Sequence, residues 1–260
     1  MATGIYETED SVTRSFDQDF IPEELLQAQW AEFIELKKII TEKYLLNKRP
    51  ISLLDIGIGS ARVPKHLCGV PEIWEMVGNY DGIDNAWPCI NLSRKVIEDL
   101  NIGNKVSAQF LQADAITSLN RKYDLVITTW FTPGNFSPDD FPFESYDPSH
   151  QRLHLSKNQK FEQVFSSAYQ LLAPDGEIVL GSCYIDNDNT RKKQEAFYRK
   201  LGMNVITDAE DEFTATKERF WSQRFTKGKM LNYFSDVPSE KILFIPLDTY
   251  NFAMLVRIKK

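Results

Sequence analysis

Apolar positions along this chain switch repeatedly between a short strand period and a helical one. Ile51 to Ile56 is an apolar, β-branched run, the pattern of a strand buried on both faces of a parallel sheet. Comparable runs follow at Tyr80–Asp84, Lys105–Ala113, Tyr123–Trp130, Glu177–Tyr184, Lys241–Leu247 and Tyr250–Ile258. Helical segments separate them. Pro22 opens a long helix whose Leu26, Trp30, Phe33, Ile40 and Tyr44 share one face, expected to pack on the sheet, and Lys48-Arg49-Pro50 ends it. Shorter helices are predicted from Ala61 to about Gly69 and from Pro88 to Leu100, with Leu92, Val96 and Leu100 inward. Two more start at Ser156 or Asn158, with Phe161, Val164, Phe165, Ala168 and Leu172 on one face, and at Thr190. Strands alternating with helices predict an α/β domain. The last two strands are joined so briefly, through Pro246-Leu247-Asp248-Thr249, that they must be antiparallel. Before Glu177, Pro174 stops a helix and Gly176 reads as a residue of positive φ.

The turn after the first strand carries the first candidate chemistry. Gly57 and Gly59 let the chain turn sharply and let a ligand reach bare backbone, and the helix beginning near Arg62 aims free N–H groups at the same place. That is a nucleotide-type site. A dinucleotide fingerprint would require glycine at position 62, which is Arg62. Acids mark the strand ends: Asp55 two residues before the first glycine, Asp84 followed by Asn85, and Asp114 between Ala113 and Ala115. A carboxylate suits a vicinal diol because it accepts two charge-assisted hydrogen bonds; Asp84 as a cap of the next helix and Asp114 as turn chemistry are the structural alternatives.

After Trp130 comes a long irregular insertion whose Pro133, Pro138, Pro142 and Pro148 forbid helix or central strand, while its aromatic density argues against disorder. A loop of this kind starting at the strand-end rim reads as a lid over the site. Composition narrows the partners. A net charge of −7 argues against a grip on a nucleic-acid backbone. Three cysteines without a CxxC spacing read as reduced thiols of a cytoplasmic protein, and no apolar run or basic leader predicts a membrane span or signal peptide. His66 and Cys68 read as packing residues, and no metal set is visible. The acidic patch Asp208, Glu210, Asp211 and Glu212 reads as a solvated hairpin end.

Asp55-x-Gly57-x-Gly59-x-Ala61 resembles the first motif of the class I, Rossmann-like S-adenosylmethionine (SAM) methyltransferases, with Ala61 in place of a third glycine. Gly82-Ile83-Asp84, Ala113-Asp114-Ala115, Tyr123-Asp124-Leu125-Val126-Ile127 and Leu171-Leu172-Ala173-Pro174-Asp175-Gly176 resemble its later landmarks, in the family's order, over about residues 51–258. The resemblance implies a doubly wound, mostly parallel seven-stranded sheet with an antiparallel last strand and helices on both faces. It implies a methyltransferase domain at 51–260 with a lid insertion at about 131–156, preceded by an N-terminal flap and helix at 1–50. SAM would be held by Asp55, Gly57, Gly59, Asp84, Asn85, Asp114, Ala115, Thr129 and Trp130, with Asp84 on the ribose and Asp114 on the adenine. Phe131, Asn135, Phe136, Tyr146, Trp221 and Arg224 are the expected acceptor contacts. Gly134-Asn135-Phe136 is similar to a segment that contacts the amino-acid acceptor in the histidine trimethyltransferases of ergothioneine synthesis. The expected reaction is methylation of a small-molecule acceptor, an amine or amino-acid-like compound, by proximity, with Tyr146 or His154 the nearest candidate bases. O-methylation, a protein acceptor and a non-catalytic SAM-binding role remain open.

Overall fold

The computed structural model describes residues 6–15, 21–249 and 251–260; Phe16, Phe20 and the side chains of Ala113 and Asp114 lie outside the described residues. Among the described residues nine strands are laid down as β1 (Ile51–Ile56), β2 (Val77–Asp84), β3 (Val106–Phe110), β4 (Tyr123–Thr128), β5 (Leu172–Tyr184), β6 (Phe213–Ala215), β7 (Trp221–Gln223), β8 (Ile242–Pro246) and β9 (Ala253–Lys259). Seven form one sheet in the order β3-β2-β1-β4-β5-β9-β8, and β6 and β7 pair separately. β1 pairs in parallel with both β2 and β4, so the strand order reverses beside β1, the place where open α/β sheets bind ligands. β9 is antiparallel to both of its neighbours, β5 and β8, and the other pairings of this sheet are parallel among the described residues.

Successive residues of the central strands feed opposite faces, as strand geometry requires. Leu53, Leu125, Val179 and Leu255 join one core layer, and Leu54, Val126, Ile178 and Val256 join the other. Helices cover both faces: α1 (Glu9–Ser15), α2 (Glu23–Asn47), α3 (Arg62–Cys68), α4 (Pro71–Trp74), α5 (Trp87–Asp99), α6 (Gln159–Gln170), α7 (Asp188–Lys200) and α8 (Lys227–Tyr233).

Three local readings are corrected. α2 buries Leu25, Ala28, Glu32, Leu36, Ile39, Ile40 and Lys43, while Trp30 is 51% exposed. The stripe is offset because two charged residues inside it have partners: Lys43 donates to the Asp175 carbonyl at 2.6 Å, and Glu32 accepts from the Trp130 N–H. α5 likewise turns Cys89, Ile90, Ser93 and Ile97 inward and leaves Leu100 exposed, with Ser93 Oγ donating to the Gly59 carbonyl at 2.6 Å. At the start of β5 the left-handed residue is Asp175 (φ 59°), not Gly176. Gly176 serves closeness instead, since a Cβ there would sit 2.9 Å from the Ala173 carbonyl oxygen.

Asp124 at the start of β4 locks the α2–β1 joint to the sheet. Arg49 grips it with both nitrogens at 2.7 and 2.9 Å and the Ser52 N–H donates at 2.8 Å. Burial works against its charge, but these bonds hold the carboxyl below its ordinary value.

The insertion after β4 builds a small core of its own with the β6–β7 hairpin. Phe141, Phe143 and Leu155 pack with Phe213, Ala215 and Trp221. The acidic patch is its clasp rather than a solvated hairpin end. Arg152 reaches Asp208 at 2.9 Å and Glu210 at 3.2 Å, the Leu155 N–H donates to Glu212 at 2.9 Å, and fully buried Asp211 accepts from the Tyr146 hydroxyl at 2.6 Å. No helix among the described residues is long and apolar enough to cross a membrane.

Candidate functional site

At the carboxyl end of β1, Gly57 (φ 85°) and Gly59 (φ 57°) both adopt the left-handed region, which glycine enters without a steric cost. The Gly57 and Ile58 N–H groups donate to the Ile83 carbonyl at 2.8 and 3.0 Å, drawing the turn onto the end of β2. A Cβ at position 57 would lie 2.7 Å from Thr132 Cγ2, so the turn also touches the insertion. Ala61, at the third glycine's place, is left-handed too (φ 56°).

Asp84 ends β2 and bridges both turns: Oδ2 accepts the Gly59 N–H at 3.0 Å and Oδ1 the Ala86 N–H at 2.9 Å. Each oxygen keeps acceptor capacity beyond these bonds. Burial pushes the carboxyl up to about 6, against the opposing effect of the backbone donors. Asp84 is not the cap of the next helix, whose N-cap is Ala86 with no side-chain cap bond; its bond to the Ala86 N–H belongs to the turn before α5 and does not compete with the ligand reading.

Asp55 plays a different part. It is buried and accepts the Tyr80 hydroxyl at 2.5 Å through Oδ2, while Oδ1 has no partner among the described residues. Burial raises it to about 7. Its side chain faces the structure beneath the turn and does not line the cavity described below.

The end of β4 is strained: Trp130 (φ 54°) and Phe131 (φ 62°) are consecutive left-handed residues without the freedom of glycine. Glu32 of α2 accepts the Trp130 N–H at 3.1 Å. It fits because residue 181 is glycine; a Cβ there would meet Glu32 Oε2 at 2.6 Å. Arg62 lays its guanidinium over the Trp130 ring, 4.1 Å from the centroid. Burial draws the Arg62 pKa down to about 10, and the charges of Glu32 and Asp55 oppose the shift.

These strand ends floor a cavity of about 320 Å³. Gly57, Gly59, Asp84, Asn85, Thr129 and Trp130 line it as expected, as do Asn135, Phe136 and Trp221. Sequence reasoning missed Arg62, Thr132, Arg219 and Phe220, which also line it, and Tyr6 enters from the N-terminal segment. That segment is docked, with Val12 of α1 packing on Ala86 and Cys89. Phe136 is placed by Asn158, the N-cap of α6, whose Nδ2 donates to the Phe136 carbonyl at 2.7 Å.

Four nominated residues stand elsewhere. Phe131 belongs to the core, stacked on Tyr184 at 4.0 Å. Arg224 is fully buried and spent on the fold, bonded to Asp186, Gln194 and Thr214. Tyr146 is committed to Asp211, and burial and that carboxylate raise its pKa. His154 is exposed, away from the cavity. Ala115 does not line the cavity either; Leu111 and Gln112 supply that side. The side chain of Asp114, the expected adenine contact, lies outside what the structure describes. No group of His, Cys, Asp and Glu among the described residues could hold a metal ion.

No family model and no curated protein matches the sequence. Solved structures do match the fold. The CcbJ methyltransferase of Streptomyces caelestis is similar at a TM-score of 0.60 and 11% identity over 98% of this chain and 97% of its own. CalS10 of Micromonospora echinaspora, an amino pentose methyltransferase solved with SAM, gives 0.54 and 11% over 100% and 98%. A SAM-dependent methyltransferase of Clostridium acetobutylicum gives 0.55 and 13% over 89% and 90%. The fold is that of the class I, Rossmann-like SAM-dependent methyltransferases.

Proposed function

We propose that this chain is a SAM-dependent methyltransferase that methylates a small-molecule acceptor, an amine or amino-acid-like compound, at nitrogen. The observation that carries the reading is the Asp84 carboxylate, set in a cavity at the sheet's reversal point beside two left-handed glycines. The residues present fit the donor. Gly57 and Gly59 admit close backbone approach, and Asp84 has lone pairs for two ribose hydroxyls. SAM, when bound, supplies an electrophilic methyl group on a sulfonium. The chain's own part is to orient the acceptor and exclude water. Orientation alone can supply about 7–11 kcal/mol of barrier reduction. Trp130, Phe136 and Trp221 give the cavity aromatic faces suited to a cationic sulfonium or ammonium. Among the described residues no histidine lines it and the Tyr146 hydroxyl is tied to Asp211, while Asp139 is paired with Lys160, so the acceptor that fits best is one whose nucleophilic lone pair is available without loss of a proton. A neutral amine meets this more readily than a hydroxyl.

Calorimetry with S-adenosylhomocysteine (SAH) tests the donor site. Micromolar-range binding is expected, and Asp84→Asn should weaken it by about 1.5–3 kcal/mol, the worth of hydrogen bonds to a charged group. Because the folded Asp84 titrates near 6, SAH affinity should be full above that pH and fall as pH drops through it. Asp84→Asn should remove this dependence, separating it from the titration of Asp55 near 7. Binding of NAD without SAH would overturn the proposal.

A further inference from the structure

The β6–β7 hairpin turns through residues 216–220. The Arg219 N–H donates to the Thr216 carbonyl at 3.0 Å, and the Thr216 N–H donates to the Phe220 carbonyl at 3.0 Å. This closure puts Arg219 in the left-handed region, φ 63°. Glycine meets that demand freely, whereas a side chain there costs roughly 1–2 kcal/mol. Nothing in the turn itself needs arginine.

The side chain points to a different use. Arg219, Phe220 and Trp221 all line the cavity, opposite the strand ends. The guanidinium lies 5.8 Å from the ring centroid of Phe143, a buried residue of the insertion. Arg219 has no carboxylate within ion-pair distance among the described residues. Its neighbour Glu218 accepts from the Asn204 side chain at 2.6 Å and the Asn204 N–H at 3.0 Å. The cavity's other cations are answered by acids: Lys160 lies 3.4 Å from Asp139, and Arg62 is opposed by Glu32 and Asp55. A chain of net charge −7 thus presents one arginine to its cavity without an acid of its own, on the hairpin and insertion side rather than the strand-end side.

We infer that Arg219 receives an anionic oxygen group of the acceptor, so that the substrate is an amine bearing a carboxylate or phosphate. This rests on the methyltransferase reading and refines its acceptor. A guanidinium presents paired donors that match two oxygens at once, and an aromatic shelf limits its motion while leaving those donors free.

Turnover scored by SAH release decides it, with matched pairs as probes: amino acids against their decarboxylated amines for the carboxylate, phosphoethanolamine against ethanolamine for the phosphate. The anionic member of at least one pair should be methylated and its neutral partner far less. Arg219→Gly keeps the left-handed turn and removes only the side chain. It should raise KM for the anionic acceptor about 10- to 100-fold while kcat and SAH affinity change little, and Arg219→Lys should recover part of the loss. Equal turnover of charged and uncharged partners would overturn the inference. So would an unchanged KM in Arg219→Gly, or SAH binding with no turnover of any anionic member. Failure to bind SAH at all is a separate result and removes the methyltransferase reading itself.

Discussion

The floor and the far wall of the cavity are built on opposite principles. Backbone makes the floor: left-handed glycines at 57 and 59, N–H groups of Gly57 and Ile58 on the Ile83 carbonyl, and a carboxylate held by two more N–H groups. The bonds of Gly57, Ile58 and Gly59 there join the ends of adjacent parallel strands. Side chains make the wall: Trp221, Phe220 and Arg219 face the cavity, and an aromatic cluster of Phe141, Phe143 and Phe213 backs Trp221, shut by Arg152 on Asp208 and Tyr146 on Asp211. Its partners lie 56 and 65 residues apart in sequence. The floor is therefore a property of the sheet, and the wall is particular to this chain; on the function proposed above, acceptor selection falls to the wall.

The largest effect should come where the two meet. Gly57→Ala would force a side chain into φ 85° and place its methyl 2.7 Å from Thr132 Cγ2. The torsion and the overlap together should cost about 2–5 kcal/mol, read as lost SAH affinity and a lower denaturant midpoint. Adding Thr132→Ser removes Cγ2 and should return the overlap part but not the torsional part. If the double variant recovers nothing, floor and wall are not in contact through this pair and the comparison loses its hinge.

A smaller and more local effect is expected from Tyr146→Phe. It deprives the buried Asp211 carboxylate of its 2.6 Å donor, leaving the Asp208 N–H at 3.0 Å and Arg152 at 3.8 Å. The loss should be about 1–3 kcal/mol, confined to the insertion. Hydrogen exchange across residues 141–155 should quicken while SAH affinity stays at its original value. An equal loss of SAH affinity would show that the wall braces the floor.

This division also explains what could be read beforehand. The sheet, its order at the strand ends and the placing of Gly57, Gly59 and Asp84 in the cavity follow from local patterns, because what a parallel strand presents at its carboxyl end depends on residues next to it in sequence. Arg62 carries a signal beyond the glycine it replaces: a cation opening a helix at such a turn lies against the helix dipole and so marks a position with another use. The wall was legible as aromatic and proline-rich, but its wiring was not. Arg224 and Trp221 lie three residues apart, and only the pairing of β7 with β6 decides that one is spent on Asp186 and Gln194 while the other lines the cavity. In α2 the apolar spacing misled because Glu32 and Lys43 occupy the buried stripe.

The smallest effect belongs to Ala61, and it tests whether the floor truly depends on backbone rather than on side-chain space. Ala61 is left-handed at φ 56°, fully buried in the core layer, and does not line the cavity. Ala61→Gly relieves roughly 1–2 kcal/mol of torsional cost. Against that stand a buried methyl worth about 0.8 kcal/mol and the extra unfolded freedom of glycine, about 0.5–1 kcal/mol. The terms nearly cancel, so stability should move by less than about 1 kcal/mol and SAH affinity should hardly change. This near-cancellation is how an alanine can occupy the third glycine's place at little expense: the torsion is imposed by the turn, and the methyl finds the core instead of the ligand. A gain in SAH affinity of tenfold or more in Ala61→Gly would show that the methyl crowds the bound molecule. The floor would then owe part of its shape to a side chain.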